Sequence, residues 1–483
     1  MILQCGKNAM PIYNNYNLQG LNQQLNPLLL QQGEFIQLVN VDSQPFGAKT
    51  KRTGYDTYLT SLGTRVDTLF TYRKNTGTQF WNYAASGGTL FSSQQGTGAW
   101  TVTGNGTITD GTVFQDVLED TLVITTPTGT TRHSTNGTSF TDTTSAPVGG
   151  VGVEQYQQRI WILKGNNMFY STTGTPTDWT SDSSSIALTG GTVGTANVIG
   201  PGNSLMKVSD RLVPTLNSGQ MFKWDGFSLV DLATDLGPSS NRSIVIKEGV
   251  GFYINRYGYF SFGGGKPELI SNSIQPQIYN NAGSGIVGTT FDNAPSGQFK
   301  YDIYTGVGTV TDDLTNETIT NCVQKYNFQL NEWSNYDFNN LPTAFHTYKD
   351  ASGVEQFIFG DANGQCYTKS GTATSDNGAS IFAKMQFFYH GDRPYSDKKW
   401  KRIWLFFNPG CEATIQIACE NTFHKDFKNW INLGDATSGI VEYDFPANTR
   451  SKLLFVKISE SSTNTPFTFY GFSCDFDYEG QNR

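Results

Sequence analysis

The residue types that most often do chemistry are few in this 483-residue chain, and their spacing matches no catalytic motif. The sequence has no HxH or HExxH pair, no GxSxG turn around a nucleophilic serine and no P-loop. The glycines at 263–265 lack the GxGxxG spacing, and the acidic pair at 312–313 lies in a polar turn where nothing would raise a carboxyl pKa. We therefore expect no enzyme, no metal and no cofactor. The four histidines are His133, His346, His390 and His424.

One dense basic segment has two interpretations. Its cations flank a tryptophan that could stack on a nucleic-acid base while they meet phosphates. Alternatively, the segment is the polar start of the following strand, and its cations protect a sheet edge or meet an acidic neighbouring subunit. We favour the second interpretation and take the segment as a candidate interface. Its members are Lys398, Lys399, Trp400, Lys401 and Arg402.

The bulk charge argues against a dedicated nucleic-acid-binding protein, because 33 Lys and Arg face 41 Asp and Glu and leave a net charge of −8. The six cysteines form no CxxC pair, so we expect reduced thiols, although Cys411 and Cys419 could face each other across a hairpin. The first residues do not resemble a signal peptide. No apolar run reaches the roughly 18 residues of a membrane-spanning helix, so we expect none.

Short alternating segments separated by Gly, Asn and Asp turns indicate an all-β fold. Examples are 68–72, 121–125, 159–163 and 356–359. Helical periodicity is nearly absent. The exception is the N-terminal region, where we expect one or two helical turns near 32–40 after the interruption at Pro27.

A repeated unit narrows the all-β fold to a β-propeller. The unit is an apolar strand, a Gly turn, a strand with an aromatic residue, and a Trp or Phe near a second turn. It recurs seven times with spacings that average close to fifty residues, and propeller blades take about 40–50. A β-solenoid is the alternative, with shorter and stricter repeats. We predict a propeller of six to eight blades over 56–385, preceded by an extended arm over 1–55. The repeats start near Thr68, Thr121, Arg159, Arg211, Gly251, Asn321 and Gln356.

Beyond residue 385 the repeat stops and four strong strands follow, at 401–407, 413–418, 451–458 and 467–473. Each combines β-branched or aromatic residues with turn residues at its ends. This pattern predicts a C-terminal antiparallel β-sandwich over 386–483.

Several segments, in order along the chain, resemble virion proteins of tailed bacteriophages, of the tail nozzle, tail hub or packaged-DNA-stabilisation type. At the N-terminus these are 17–22, 27–30, 33–41 and 46–55, which read NLQGLN, PLLL, GEFIQLVNV and FGAKTKRTGY. Two later segments, 325–334 (KYNFQLNEWS) and 359–367 (FGDANGQCY), are similar to blades of those proteins. The resemblance does not separate a podovirus nozzle from a siphovirus tail-tip component.

The resemblance implies a structural protein of the virion tail, assembled in the host cytoplasm into a ring of six copies. Its partners would be further copies of itself, the portal or adaptor, other tail proteins and DNA in transit. We expect the arm to dock on its own propeller or on a neighbour. The candidate interface residues of the arm are Leu21, Pro27, Leu28, Phe35 and Leu38.

Two other functions stay open. One is a phage propeller that binds host-receptor glycans through exposed aromatic residues. The other is a propeller that acts on glycosides. Binding of the isolated chain to glycans would favour the first of these, and turnover lost with a single carboxylate would favour the second.

Overall fold

The computed structural model describes residues 12–15, 18–23, 30–44, 47–75, 79–188, 201–233, 235–278, 285–287, 294–312, 314–391, 393–422, 429–463 and 466–479. Within these residues the chain is almost entirely β-structure, as the sequence predicts. The first five strands belong to the N-terminal arm and are β1 (Ile12–Asn15), β2 (Gln37–Val39), β3 (Val41–Ser43), β4 (Lys49–Lys51) and β5 (Tyr55–Thr57).

In the described part of the chain seven antiparallel blades of four strands follow, within the predicted range of six to eight. Blade 1 contains β6 (Val66–Arg73), β7 (Phe80–Ser86), β8 (Thr89–Gln94) and β9 (Thr101–Thr107). Blade 2 contains β10 (Phe114–Leu118), β11 (Thr121–Thr125), β12 (Arg132–Ser134) and β13 (Thr141–Asp142). Blade 3 contains β14 (Gly152–Tyr156), β15 (Arg159–Lys164), β16 (Asn167–Tyr170) and β17 (Ser184–Ala187).

Blades 4 and 5 have the same four-stranded form. Their strands are β18 (Gly202–Val208), β19 (Arg211–Leu216), β20 (Met221–Trp224) and β21 (Leu229–Ala233), then β22 (Val245–Lys247), β23 (Val250–Asn255), β24 (Gly258–Phe262) and β25 (Glu268–Leu269). Short helical turns lie before β22 and after β25, at Asn241–Ser243, Asn272–Ile274 and Gln275–Ile278.

Blades 6 and 7 carry additional strands. Blade 6 contains β27 to β30, and β26 pairs with the far end of β28. The strands are β26 (Gly285–Val287), β27 (Ser296–Phe299), β28 (Asp302–Thr311), β29 (Thr318–Asn327), β30 (Glu332–Asp337), β31 (Pro342–Lys349), β32 (Glu355–Asp361), β33 (Cys366–Lys369), β34 (Ser375–Asp376) and β35 (Ala379–Ser380).

The second strands of the blades explain the sequence repeat. All residues of β7 and β11 are buried, because blades pack against both faces of these strands. Continuous apolar runs therefore mark the middle of each blade. One of the seven sequence recurrences falls in each of the seven blades, which confirms the propeller and the predicted strands at 68–72, 121–125, 159–163 and 356–359.

The arm closes the ring. Blade 7 takes β31, β32 and β33 from the end of the propeller sequence and its fourth strand, β5, from the arm. The blade packs tightly against blade 1, since a Cβ on Gly360 would lie 2.5 Å from Cβ of Val66. The first and last blades are thus held together by main-chain pairing between distant parts of the chain.

Two facing sheets form the predicted C-terminal sandwich. One contains β36, β42, β38 and β39, and the other contains β37, β43, β40 and β41 together with β1, β3 and β4 of the arm. The strands are β36 (Ala383–Tyr389), β37 (Lys398–Phe407), β38 (Thr414–Glu420), β39 (Ile431–Asp435), β40 (Ile440–Asp444), β41 (Arg450–Ser451), β42 (Leu453–Glu460) and β43 (Thr468–Tyr478).

Strand β2 joins the sandwich to the propeller. It pairs in parallel with β30 of blade 6 and antiparallel with β36 of the sandwich, so one ten-stranded sheet runs through both parts. The helical turns expected near 32–40 are wrong, because this segment needs its main-chain N–H and C=O groups for two flanking strands.

The domain boundaries predicted from the sequence also differ from those in the structure. Strand β5 crosses the boundary set at 55, and β36 crosses the one set at 385. The arm is not a separate element, because its strands are shared between blade 7, blade 6 and the sandwich. A sequence pattern locates strands but does not show which distant strand completes a sheet.

Replacement of a β2 side chain tests this junction. Leu38 is 1% exposed in the core, whereas Leu330 is 41% exposed at the surface. We expect Leu38→Ala to lower the free energy of unfolding by about 2–5 kcal/mol, because it removes buried methyl groups and leaves a cavity. The matched control Leu330→Ala should change it by less than about 0.5 kcal/mol. Urea unfolding followed by tryptophan fluorescence measures both, and equal effects would contradict a buried junction.

Candidate functional sites

The candidate interface residues of the arm that the structure describes lie in the core of the chain. Leu21, Phe35 and Leu38 are 2%, 0% and 1% exposed. Phe35 meets the ring of Phe387 of the sandwich edge-on, at 5.4 Å between centroids. The arm thus packs within its own chain, one of the two predicted alternatives, and these residues have no surface to offer a second chain. Pro27 and Leu28 lie outside the described residues.

Lys398 is also internal, although it begins the basic segment. Its side chain is fully buried, and its Nζ donates to the carbonyl oxygens of Arg393, Ser396 and Lys452 at 2.9, 2.9 and 3.1 Å. Three acceptors satisfy the three N–H bonds of the ammonium group. Burial nevertheless lowers the pKa of Lys398 to about 8, because the nearby Asp397 offsets only part of the lost hydration and Lys452 adds to the effect.

The tryptophan of the basic segment cannot stack on a base. Trp400 is 1% exposed, its Nε1 donates to Ser451 Oγ at 2.7 Å, and its ring packs 5.2 Å from Phe476. Lys401 and Arg402 contact acidic residues of the same sheet, Asp477 and Asp444. Lys399 is half-buried, on β37.

The basic segment therefore belongs to the sandwich. Strand β37 is flanked by β43 on one side and by β40 and β41 on the other, so it is a central strand and not a protected edge. The nucleic-acid interpretation fails because Trp400 is buried and two of the cations face carboxylates of their own chain.

The arm instead brings a buried ionic cluster to the propeller. Asp42 on β3 accepts hydrogen bonds from Lys325 Nζ and Tyr336 Oη of blade 6. Burial opposes the charged carboxylate, but the Lys325 and Lys369 ammonium groups outweigh it and hold the pKa of Asp42 well below its usual range. On the next strand, Lys49 Nζ lies 2.8 Å from Glu332 Oε2 of blade 6.

Arg52 is the most completely bonded side chain of this cluster. Its five N–H groups donate to Asn40 Oδ1, to both carboxylate oxygens of Asp376, and to the carbonyl oxygens of Thr53 and Asp337. The guanidinium is 2% exposed and lies 5.0 Å from the centroid of the Phe338 ring. Such a two-pronged pair combines charge with fixed geometry, so it sets the position of β5 in blade 7.

The propeller has a central cavity of about 260 Å³ that is open to solvent. The first strands of blades 1, 2, 3, 6 and 7 line it, together with the helical turn before blade 5. Its charged lining residues within the described chain are Asp67, Glu154 and Arg242.

Carboxylates join neighbouring blades around this cavity. Asp116 of blade 2 accepts the main-chain N–H of Gln155 of blade 3 at 2.5 Å, and Glu154 of blade 3 accepts that of Lys207 of blade 4. Burial raises the pKa of both carboxyl groups, and the nearby Asp116 raises that of Glu154 further, well above its ordinary value. Burial and the neighbouring Asp116 thus favour the neutral form of Glu154.

Arg242 reaches across the cavity from the turn before blade 5. Its Nη2 donates to the carbonyl oxygens of Asp67 in blade 1, at 3.1 Å, and of Thr343 in blade 7. Burial, with Arg65 nearby, lowers the pKa of Arg242 to about 10, so it stays protonated at neutral pH. The Asp67 carboxylate pairs with Arg65 at 3.0 Å.

Sequence reasoning missed Arg52, Lys325 and Arg242. Charged residues inside apolar strands, such as Lys325 in the run NCVQKYNF, were the available signal, because a charge there needs a buried partner. The partners Asp42 and Asp376 lie 283 and 324 residues away from Lys325 and Arg52, so the sequence could not name them. Arg242 lies in a polar turn and gives no signal.

Within the described part of the chain, no three His, Cys, Asp or Glu side chains cluster as metal ligands. Of the helical segments that the structure describes, none combines the length and apolar character needed to cross a membrane.

The fold and these sites define a seven-bladed β-propeller protein whose arm joins it to a β-sandwich. No protein-family profile and no curated protein sequence matches the chain. Among solved structures it is similar to YCF48 bound to D1 peptide (9% identity, TM-score 0.42, 69% of this chain and 100% of that one). It is also similar to BBS1N in complex with ARL6DN (9%, 0.43, 67% and 99%) and to BamB from Moraxella catarrhalis (12%, 0.37, 74% and 97%). Identities this low carry no information about function.

Removal of the Asp376 charge tests the buried cluster. We expect Asp376→Asn to lower the free energy of unfolding by about 3–5 kcal/mol, because the Arg52 guanidinium is left buried without a counter-charge. The control, Asp444→Asn, affects a carboxylate that is 64% exposed beside Arg402, and should cost at most about 1 kcal/mol. Chemical unfolding measures both. A loss at Asp376 no larger than at Asp444 would show that the buried pair does not stabilise the fold.

Lys398 predicts a pH dependence. Its pKa is about 8 in the folded chain, against about 10.4 when unfolded, so between these values the unfolded chain binds more protons. Stability contributed by this site should therefore rise from pH 8 to 10. The measurement is the difference in unfolding free energy between the wild type and Lys398→Met across this range. A difference that does not change with pH would contradict the lowered pKa.

Proposed function

We propose that the chain is a non-catalytic structural protein of a bacteriophage tail. In this proposal it forms a homohexameric ring below the portal or adaptor, assembled in the host cytoplasm, that continues and closes the DNA channel and supports receptor-binding parts. The resemblance of its N-terminal and blade segments to tail nozzle and hub proteins supports the virion assignment.

The shared ten-stranded sheet is the observation that carries the structural role. Blade 6, strand β2 and the sandwich are hydrogen-bonded without a break, and the Arg52–Asp376 pair fixes the arm beside them. A linker between two domains permits relative motion, whereas a shared sheet resists it. Such a rigid unit suits a part that must keep its shape while DNA passes and while other proteins are attached.

In this proposal DNA passes between copies and not through the propeller. The central cavity has a volume of only about 260 Å³, and Arg242 crosses it. A B-DNA duplex is too wide to pass there, because its major groove alone is about 12 Å wide. A channel for DNA therefore needs several copies around a common axis. The net charge of −8 is consistent with a conduit that does not hold DNA.

The open edge of the sandwich is the surface we assign to the contact between copies. Strands β39 and β40 end the two sheets and lie beside each other. Each exposes an isoleucine, Ile431 at 40% and Ile440 at 55%. Unpaired strand edges with apolar side chains favour pairing with another chain. This edge replaces the buried arm residues as the candidate interface.

A glycan-binding propeller is the second candidate, and Phe227 favours it. This side chain is 92% exposed at the tip of the β20–β21 hairpin. The turn is rigid, because Asp225 Oδ1 accepts the N–H groups of Phe227 and Ser228 at 2.9 and 2.8 Å. A fixed, exposed aromatic ring is available for contact with a sugar face or with a protein.

Mass photometry and negative-stain electron microscopy of the purified chain test the ring. We expect particles of six times the monomer mass with a central opening. Ile440→Lys should weaken association by about 2 kcal/mol or more, because it places a charge in the proposed contact. The matched control, Val354→Lys, changes a residue that is 56% exposed in blade 7 and should leave the ring intact.

A monomer at all concentrations, alone and with portal or adaptor protein, would contradict the proposal. If that monomer binds a glycan array and Phe227→Ala abolishes the signal, the second candidate is correct.

A further inference from the structure

Four asparagines of the chain are followed directly by a glycine, and the structure holds these four pairs differently. In such a pair the main-chain nitrogen of the glycine can attack the side-chain amide carbon of the asparagine, because glycine has no side chain to block the approach. The two atoms must come close in a defined orientation, so a fixed main chain slows the reaction. The pairs begin at Asn105, Asn136, Asn363 and Asn377.

Three of the four glycines are buried, and other residues pack directly against their main chain. The peptide units of these pairs therefore cannot rotate unless a neighbour moves, and the nitrogen stays where the fold holds it. The atoms nearest to a Cβ built on each of these glycines are Thr103 Oγ1 at 2.2 Å for Gly106, Trp81 Cδ2 at 2.4 Å for Gly137 and the Thr64 carbonyl oxygen at 2.5 Å for Gly364.

Gly378 is the exception among the four glycines. It is exposed, and a Cβ built on it would have no atom within 4 Å. With Asn377 it forms the two-residue turn between β34 and β35, and both residues have positive φ, as in a type I′ hairpin. Its N–H donates to no acceptor in the described part of the chain. The attacking nitrogen of this pair therefore has room to move and no competing hydrogen bond.

The side-chain amide of Asn377 is also activated for attack. Thr57 Oγ1 on β5 donates to Asn377 Oδ1 at 2.9 Å. A donor on the amide oxygen stabilises the negative charge that develops on this oxygen when a nucleophile adds to the carbon. The fourth pair thus combines an accessible nitrogen with a polarised amide.

We propose that Asn377 is a self-modification site, at which the folded chain deamidates without an enzyme. The Gly378 nitrogen bonds to Cγ of Asn377, and the side-chain nitrogen leaves as ammonia and takes the proton of the Gly378 N–H. The product is a cyclic succinimide. Water then adds to either of its two carbonyl groups and opens the ring, which leaves aspartate or isoaspartate at this position. Water is the only co-reactant, and the site does not depend on assembly into a ring of subunits.

The modification lies where the propeller closes. The main-chain N–H of Asn377 donates to the carbonyl oxygen of Tyr55 in β5 at 2.7 Å, and the preceding Asp376 pairs with Arg52. In isoaspartate the main chain runs through the side-chain carbon, which adds one methylene group to the turn and a carboxylate next to Asp376. We expect this product to weaken the attachment of β34 to β5, and with it the closure of blade 7.

Peptide mapping of the full chain by mass spectrometry tests the site, after incubation in mildly alkaline buffer. Deamidation raises the mass of a peptide by about 1 Da, and fragmentation separates isoaspartate from aspartate. A sample taken before incubation corrects for deamidation during digestion. In the folded chain we expect Asn377 to react at least roughly tenfold faster than the three pairs with buried glycines. In the urea-unfolded chain the four rates should agree within about threefold, because only the fold distinguishes the pairs.

Two threonine variants test the activation of the amide. Thr57→Val removes the hydroxyl donor from an exposed strand position and should slow deamidation of Asn377 at least roughly threefold. The matched control, Thr318→Val, changes another exposed strand threonine, which contacts Thr311 Oγ1, and should leave all four rates unchanged. Circular dichroism confirms that each variant is folded.

Urea unfolding of the separated products tests the effect on ring closure. The isoaspartyl fraction, isolated by ion-exchange chromatography, should unfold at a lower urea concentration than the unmodified chain. Asn377→Asp adds the carboxylate without the extra methylene group, and its unfolding midpoint should lie closer to that of the unmodified chain.

Equal rates at the four pairs in the folded chain, or no reaction at Asn377, would overturn the site. A rate that Thr57→Val leaves unchanged or increases would overturn the role of the hydroxyl group. An isoaspartyl fraction as resistant to urea as the unmodified chain would overturn the effect on blade 7. If Thr57→Val does not fold, the comparison of the folded and unfolded wild type still decides whether the fold selects Asn377.

Discussion

Strand β2 and Arg52, which lies between β4 and β5, are the constraint on which the propeller and the sandwich both depend. Three residues, Gln37–Val39, fill the gap between blade 6 and the sandwich, and Arg52 then anchors the chain before it enters blade 7 as β5. Without these contacts the propeller would lack the fourth strand of its last blade, and the sandwich would lose its hydrogen-bonded link to blade 6. One stretch of about twenty residues therefore both closes the ring and fixes the sandwich.

The buried charges at this junction act mainly through specificity. Removing ions from water is costly, so a buried pair is not by itself evidence of high stability. The cost does, however, make any other register of the arm unfavourable, because a shift by one residue would leave Arg52, Asp376 or Asp42 buried and unpaired. A short arm can thus adopt a single position on a large β-surface.

Buried arginines connect distant parts of the chain at the cavity as they do at the arm. Arg52 is bonded at every N–H group, and Arg242 crosses the central cavity to carbonyl oxygens of blades 1 and 7. Carboxylates that bind the main chain of the next blade, such as Asp116, hold the first strands at fixed positions around this cavity.

The sequence by itself determined the all-β class, the seven repeats and the four main sandwich strands, because apolar runs between turn residues depend only on local burial. It placed Leu38 on an apolar face and Trp400 in a basic segment and assigned both to an interface, although both are buried within the chain, since a local pattern does not show what covers a side chain. Only the tertiary structure decided that residues 32–40 are extended, that β5 completes blade 7, and that Arg52 meets Asp376. These outcomes depend on contacts between residues hundreds of positions apart, which no local sequence signal encodes.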